Sequence, residues 1–182
     1  AGTGAASAGE SAGAAGADLL VTSGGASVGD HDLVAKALAE VGLAVDFWKV
    51  AVRPGKPLMF GRQGTLPVLG LPGNPVSAYV CAQLFLKPVL DRLLGRSDNL
   101  PAQALLGRNL PANDAREDYL RARLERNAEG GLVALPFERQ DSSMLATLAR
   151  ADALVVRPPN APAAKVGERI AILPLGDGAL PI

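Results

Sequence analysis

Residues 70–78 read Gly-Leu-Pro-Gly-Asn-Pro-Val-Ser-Ala, two glycines and two prolines at the point where an apolar run from Leu66 gives way to a longer mixed segment. Leu66–Leu71 is short and almost wholly apolar, the signature of a buried strand. Asn74 suits the N-cap of a helix, its side chain able to accept from an amide in the first turn. Pro75 falls at the first helical position, where a missing N–H costs nothing. Gly73 removes side-chain bulk at the strand end. The stretch therefore spells a strand, a stiff corner and a helix, with the Val76 and Ser77 amides expected to face outward. Such a helix start carries partial positive charge and attracts phosphate or another oxyanion. Two readings stay open on these nine residues alone: a well-capped corner, or a loop that holds an anion.

Working outward, the same design recurs. Leu19–Thr22 reads as a strand that ends in Ser23-Gly24-Gly25, and Thr22–Asp30 (TSGGASVGD) is a second corner. Behind it, Leu33, Val34, Ala37, Leu38 and Val41 follow a 3.6-residue period, predicting a helix over 32–41 with Asp30 as N-cap and Gly42 as stop. Ala44–Val52 alternates and predicts a strand, and Val76 to about Leu94 a long helix bent at Pro88. The order of elements predicts an α/β fold with a mainly parallel sheet, in which ligands gather beyond the carboxyl ends of the strands. The residues offered there are Ser23, Gly24, Gly25, Ser27 and Gly29 from one corner, and Pro72, Gly73, Asn74, Pro75 and Ser77 from the other. Neither corner is a G-x-G-x-x-G or a Walker motif, which disfavours the ordinary nucleotide folds.

The texture changes at Gly95–Pro101 (GRSDNLP), which predicts a boundary. Beyond it, Ala104–Leu110, Tyr119–Arg126, Leu132–Leu135, Ala153–Val156 and Arg169–Leu173 read as short strands between dense turn signals, with Asn127–Gly131 a hairpin turn. A small β-barrel or sandwich follows. The expected organisation is a low-complexity start at 1–17, part of an α/β domain at 18–96 and a β domain at 97–182.

Composition narrows the function. The 182 residues carry 18 basic and 18 acidic side chains, so no broad basic field invites nucleic acid. No apolar run approaches the roughly 20 residues of a membrane helix. Cys81 is the only cysteine, which excludes an intrachain disulfide and a cysteine zinc site, and fits a reducing compartment, the cytoplasm being the expected location. His31 is the only histidine, so no three-histidine metal site exists. Charge must act locally. Lys49 and Arg53 lie four apart on the strand-like segment and would share a face, and Arg53-Pro-Gly-Lys-Pro57 turns Lys56 towards them. These cations read equally as a solvated strand edge or as the anchor of a multiply charged substrate. Asp30 and Asp32 either complement a helix dipole or bind a cation and place water against a phosphoanhydride.

Taken together, DLLVTSGGASVGDHD (18–32), FWKVAVRPGKPLMFG (47–61) and GLPGNPVSA (70–78) resemble the molybdopterin molybdenumtransferases, relatives of the cofactor-synthesis part of gephyrin. Weaker likeness continues through DYLRARLERNAEGG (118–131), QDSSML (140–145) and Val166–Glu168. The resemblance implies an enzyme that takes adenylyl-molybdopterin and molybdate, hydrolyses the adenylate with Mg2+, places molybdenum on the dithiolene and releases AMP. It implies a partial molybdopterin-binding α/β/α sheet domain followed by a small β-barrel-like domain. It places catalytic roles on Asp32, which would also meet the metal, and on Lys49, Arg53 and Lys56, and substrate contacts on Arg121 and Ser142. Arg53 stands where lysine is common in the family, and Asp141 where a small residue occurs. Family members are homodimers with further N-terminal domains, so the chain is expected to be the C-terminal portion of a longer enzyme. A molybdopterin adenylyltransferase is an expected partner. The alternatives are an adenylyltransferase-like enzyme, which shares the α/β domain and a similar SGG loop, and a non-catalytic pterin-binding or scaffold fragment.

Overall fold

The computed structural model describes residues 16–24, 40, 42–96 and 101–175. The predicted helix over 32–41 lies outside the described residues except for Glu40, which is helical. The chain divides into two compact units, one of residues 1–50 and 57–73, the other of residues 51–56 and 74–182.

The first unit holds a four-stranded sheet. Its strands are β1 (Leu20–Ser23), β2 (Leu43–Lys49), β4 (Pro57–Gln63) and β5 (Leu66–Leu71), in the order β1-β5-β4-β2. The apolar run of β5 takes an inner place between β1 and β4, as a strand buried on both faces should. Only the β1–β5 pairing is parallel; β5–β4 and β4–β2 are antiparallel, so the sheet is mixed rather than mainly parallel. The difference comes from β4, which the sequence reading passed over. Gly64-Thr65 is a two-residue hairpin turn with Gly64 at φ +60, and it sends β5 back along β4 with Gln63 opposite Leu66. Gly61 permits close strand approach, since a Cβ there would lie 2.5 Å from the Ala44 carbonyl oxygen. Met59 and Val68 form the buried centre, with Leu20, Leu43 and Trp48 packed against them. Phe47 and Phe60, opposite each other on β2 and β4, stack with ring centroids 5.7 Å apart.

The second unit begins with β3 (Val52–Arg53) and continues, after the first unit's β4 and β5, with a helical stretch. The segment read as one strand over 44–52 is thus broken at Val50, and Val52-Arg53 pair instead with Glu117-Asp118. The predicted long helix is α1 (Pro75–Cys81), a π segment (Ala82–Leu86) and α2 (Lys87–Leu93). Pro88 explains the wide turn: it has no N–H for the helical ladder and its ring crowds the carbonyl one turn back. The ladder slips by one residue just before it, the Lys87 amide donating to the Ala82 carbonyl.

All five strands predicted beyond residue 101 form, as β6 (Ala102–Leu106), β7 (Glu117–Arg126), β8 (Leu132–Pro136), β9 (Ala153–Arg157) and β10 (Arg169–Pro174). They run β7-β8-β6-β10-β9, and β9 pairs back with β7 to close a five-stranded barrel. A short helix, α3 (Leu145–Leu148), lies between β8 and β9 in the chain. The barrel is narrow, and its interior is filled by alternating small and branched side chains: Ala104, Ala122, Ala134 and Ala153 with Leu106, Leu124, Val155, Ile170 and Ile172. Ile172 is fully buried. Ile172→Ala is therefore expected to destabilise the barrel by about 2–5 kcal/mol, and Ile172→Val by about 1, read as a fall in the denaturant midpoint at unchanged slope.

Candidate functional site

The parallel pairing of β1 with β5 sets their carboxyl ends side by side, Ser23 opposite Leu71. Just beyond, the Gly24 amide donates to the Leu71 carbonyl at 3.2 Å, and Gly24 turns at φ +82, a conformation that favours glycine. A Cβ on Gly73 would lie 3.6 Å from the Gly24 Cα, so the two corners are in van der Waals reach. Ser23, Gly24, Pro72 and Gly73 thus meet on one sheet edge, with Pro72 buried and Gly73 exposed. Gly25, Ser27, Gly29 and Asp32, along with Asp30 and His31, lie outside the described residues.

Asn74 opens the second unit as the N-cap of α1, its side-chain oxygen accepting from the Ser77 amide at 3.1 Å, and Pro75 follows at the head of the helix. The Ser77 amide, expected to face outward, is therefore satisfied by the cap. Ser77 itself is buried.

The three cations fall on different elements. Lys49 ends β2, opposite Pro57, while Arg53 sits in β3, so the two do not share one continuous strand. Arg53 is not free either. Its guanidinium pairs with Asp118, pairs with Asp114 at 2.9 Å and donates to the Asn113 side chain at 3.2 Å. The Asp118 hydrogen bond, above all, raises its pKa further. These acceptors lie 60–65 residues away in sequence, and no local spacing signalled them. Lys49 and Lys56 are exposed and make no ion pair among the described residues.

The turn that carries Lys56 is held firmly. The Arg53–Pro54 peptide is cis. Gly55 is buried at φ +119, and a Cβ there would meet the Cys81 sulfur at 2.4 Å. The Cys81 thiol donates to the Gly55 carbonyl at 3.5 Å, and burial pushes its pKa up to about 12. A thiol so placed is a packing element, not a nucleophile.

Arg121 is 1% exposed. Its guanidinium donates to the Gln140 side-chain oxygen at 3.2 Å, the Met144 carbonyl at 3.3 Å and the Asp141 carbonyl at 3.1 Å. Every acceptor is neutral, and burial weighs against its charged form, partly offset by the nearby Asp141 charge. Gln140 also accepts from the Arg121 amide and donates to the Arg121 carbonyl, both at 3.0 Å. Its amide thus continues the β ladder where β8 ends at Pro136. Arg121 and the loop that carries Ser142 are thereby brought together, with Asp141 holding the Ser143 amide at 2.8 Å. Sequence reading had singled out Arg121 and Ser142 but not Gln140, two residues before the serine.

Two family models match. Residues 5–92 match the "Probable molybdopterin binding domain" and residues 103–175 the "MoeA C-terminal region (domain IV)". The chain belongs to the molybdopterin molybdenumtransferase family. Among curated relatives, it is 34% identical over 161 residues to the molybdopterin molybdenumtransferase of Haemophilus influenzae, covering 87% of this chain and 40% of that protein. It is also 34% identical over 158 residues to that of Bacillus subtilis, covering 86% and 36%. Among solved structures, the molybdopterin biosynthesis moea protein of Pyrococcus horikosii superposes with a TM-score of 0.68 at 31% identity, over 85% of this chain and 36% of that one. The chain therefore spans 36–40% of the length of these two curated relatives.

Two outcomes are expected. Cys81 resists alkylation at pH 8.5 in the native protein and reacts fully once unfolded, as mass spectrometry will read. Gln140→Ala strips acceptors from both the Arg121 amide and its guanidinium, lowering stability by about 1–3 kcal/mol in denaturant melts.

Proposed function

We propose that this chain supplies the pterin edge and the β-barrel of an enzyme that inserts molybdenum into molybdopterin, taking adenylyl-molybdopterin and molybdate and releasing AMP. The observation that carries this reading is the meeting of two glycine-rich strand ends, Gly24 beside Gly73, in a chain of this family. An edge stripped of side chains lets a phosphate-bearing ligand approach the backbone closely. Ser23, Gly24, Gly25, Ser27 and Gly29 with Pro72, Gly73, Asn74, Pro75 and Ser77 form the proposed pterin-phosphate contacts. The matched C-terminal region model favours this reading over the adenylyltransferase alternative.

In the proposed chemistry a water oxygen attacks the adenylate phosphorus, the phosphoanhydride P–O bond breaks, and AMP leaves while the molybdopterin phosphate keeps the bridging oxygen. Asp32 is the proposed base for that water and would be the magnesium ligand; a bound magnesium ion would supply positive charge against the phosphoanhydride oxygens. Among the described residues no group of three or more His, Cys, Asp or Glu side chains is placed to hold a metal. Lys49 and Lys56 are the proposed captors of molybdate and phosphate oxygens, their ammonium groups left open to solvent. Arg53, committed to Asp114 and Asp118, acts by fixing the turn that presents Lys56. Arg121 sets the loop of Ser142, whose hydroxyl is a further proposed substrate contact. The proposed setting is cytoplasmic, within a homodimer of the longer protein, with an adenylyltransferase supplying the adenylylated pterin.

AMP release from adenylyl-molybdopterin, molybdate and magnesium tests this in the full-length protein. Asp32→Ala is expected to slow release by about 100-fold or more, and Lys56→Ala to raise the molybdate KM about tenfold. Undiminished release in both variants would overturn these roles.

A further inference from the structure

On the outer face of the barrel unit lies a hollow of about 400 Å³, whose lining includes none of the strand-end residues assigned above. Four arginines line it: Arg108, Arg123, Arg139 and Arg150. One carboxylate, Glu138, stands among them, bound to Arg108 at 3.1 Å and itself 81% exposed. In a chain whose charges balance at 18 against 18, four cations against one anion is a local excess. Arg123 and Arg139 are exposed and make no ion pair among the described residues. Arg150 lies over the Phe137 ring, 5.6 Å from its centroid, and donates to the Ala146 carbonyl at 3.3 Å. Leu135, Pro136 and Met144 complete an apolar wall.

Like charges gathered around one concavity repel one another, and a bound anion relieves that repulsion. The guanidinium fork matches phosphate oxygens two at a time, which a lysine cannot do. The volume lies in the range of small-molecule sites and suits a mononucleotide, not a polymer. We propose that this hollow binds a phosphate-bearing small molecule of nucleotide size. Arg123 and Arg139 hold the phosphate, Arg108 exchanges Glu138 for it, and the wall of Leu135, Phe137 and Met144 takes the flat ring.

Calorimetry on the full chain tests the site with AMP, pyrophosphate and inorganic phosphate. AMP is expected to bind more tightly than inorganic phosphate, and more weakly as salt rises. The double substitution Arg123→Ala with Arg139→Ala is expected to weaken binding at least about tenfold. Glu138→Gln removes the competing carboxylate and is expected to tighten binding several-fold, a gain that a merely damaged fold would not give. Pyrophosphate binding as tight as AMP would place the affinity in the phosphates and overturn the ring wall. Absence of AMP binding at millimolar concentration would overturn the site. So would an affinity unmoved by the double variant, or one lost with Lys56→Ala instead, which would return the ligand to the residues proposed above. The site stands whether or not AMP release is observed, since no residue in it takes part in that reaction.

Discussion

Strand β7 must satisfy more partners than one strand normally can. Over its ten residues it pairs with β9 through Asp118–Ala122 and with β8 through Ala122–Arg126, and this double pairing closes the barrel. Where β8 runs out, the Gln140 side chain takes up the Arg121 amide and carbonyl, and at Glu117-Asp118 the two residues of β3 take over. Every backbone group so placed needs a partner, because an unmet one in a buried setting is costly. The placement of Arg53, Arg121 and the Gln140–Met144 loop follows from this single demand, as does the exposure of Arg123 one pleat further along.

The barrel was legible in the sequence almost strand for strand, since short apolar runs between dense turn residues have few other ways to fold. The corner at Gly70–Ala78 was legible too, down to the Asn74 cap, because capping depends on neighbours in the chain. Strand β4 was hidden: Pro57 at its start and Gly61 within it read as turn material, yet Gly61 is there for close strand approach. The hairpin it forms also decides the strand directions, which is why the sheet is mixed. The partners of Arg53 were beyond reach for a different reason. Asp114 and Asp118 lie 61 and 65 residues further along the chain, and periodicity carries no trace of pairings made at that distance.

The strand-end edge and the RPGK turn show two ways of fixing a loop. At the edge, Gly24 and Gly73 leave out side chains so that backbones can come together. At the turn, Gly55 leaves out a side chain so that Cys81 can fill the space, and Arg53 ties the other end to two carboxylates. At both places a neighbour helps to set the described backbone, and fixed placement is what oxyanion recognition asks of a site.

The π segment Ala82–Leu86 has a consequence for the surface that follows it. One residue more than an α-turn holds rotates everything downstream by about 100° about the helix axis. The azimuth of α2, and with it the outward aim of Leu90, Leu93 and Leu94, is therefore set by a single-residue surplus. A chain one residue shorter here would turn the whole of α2 by that angle, the three leucines with it.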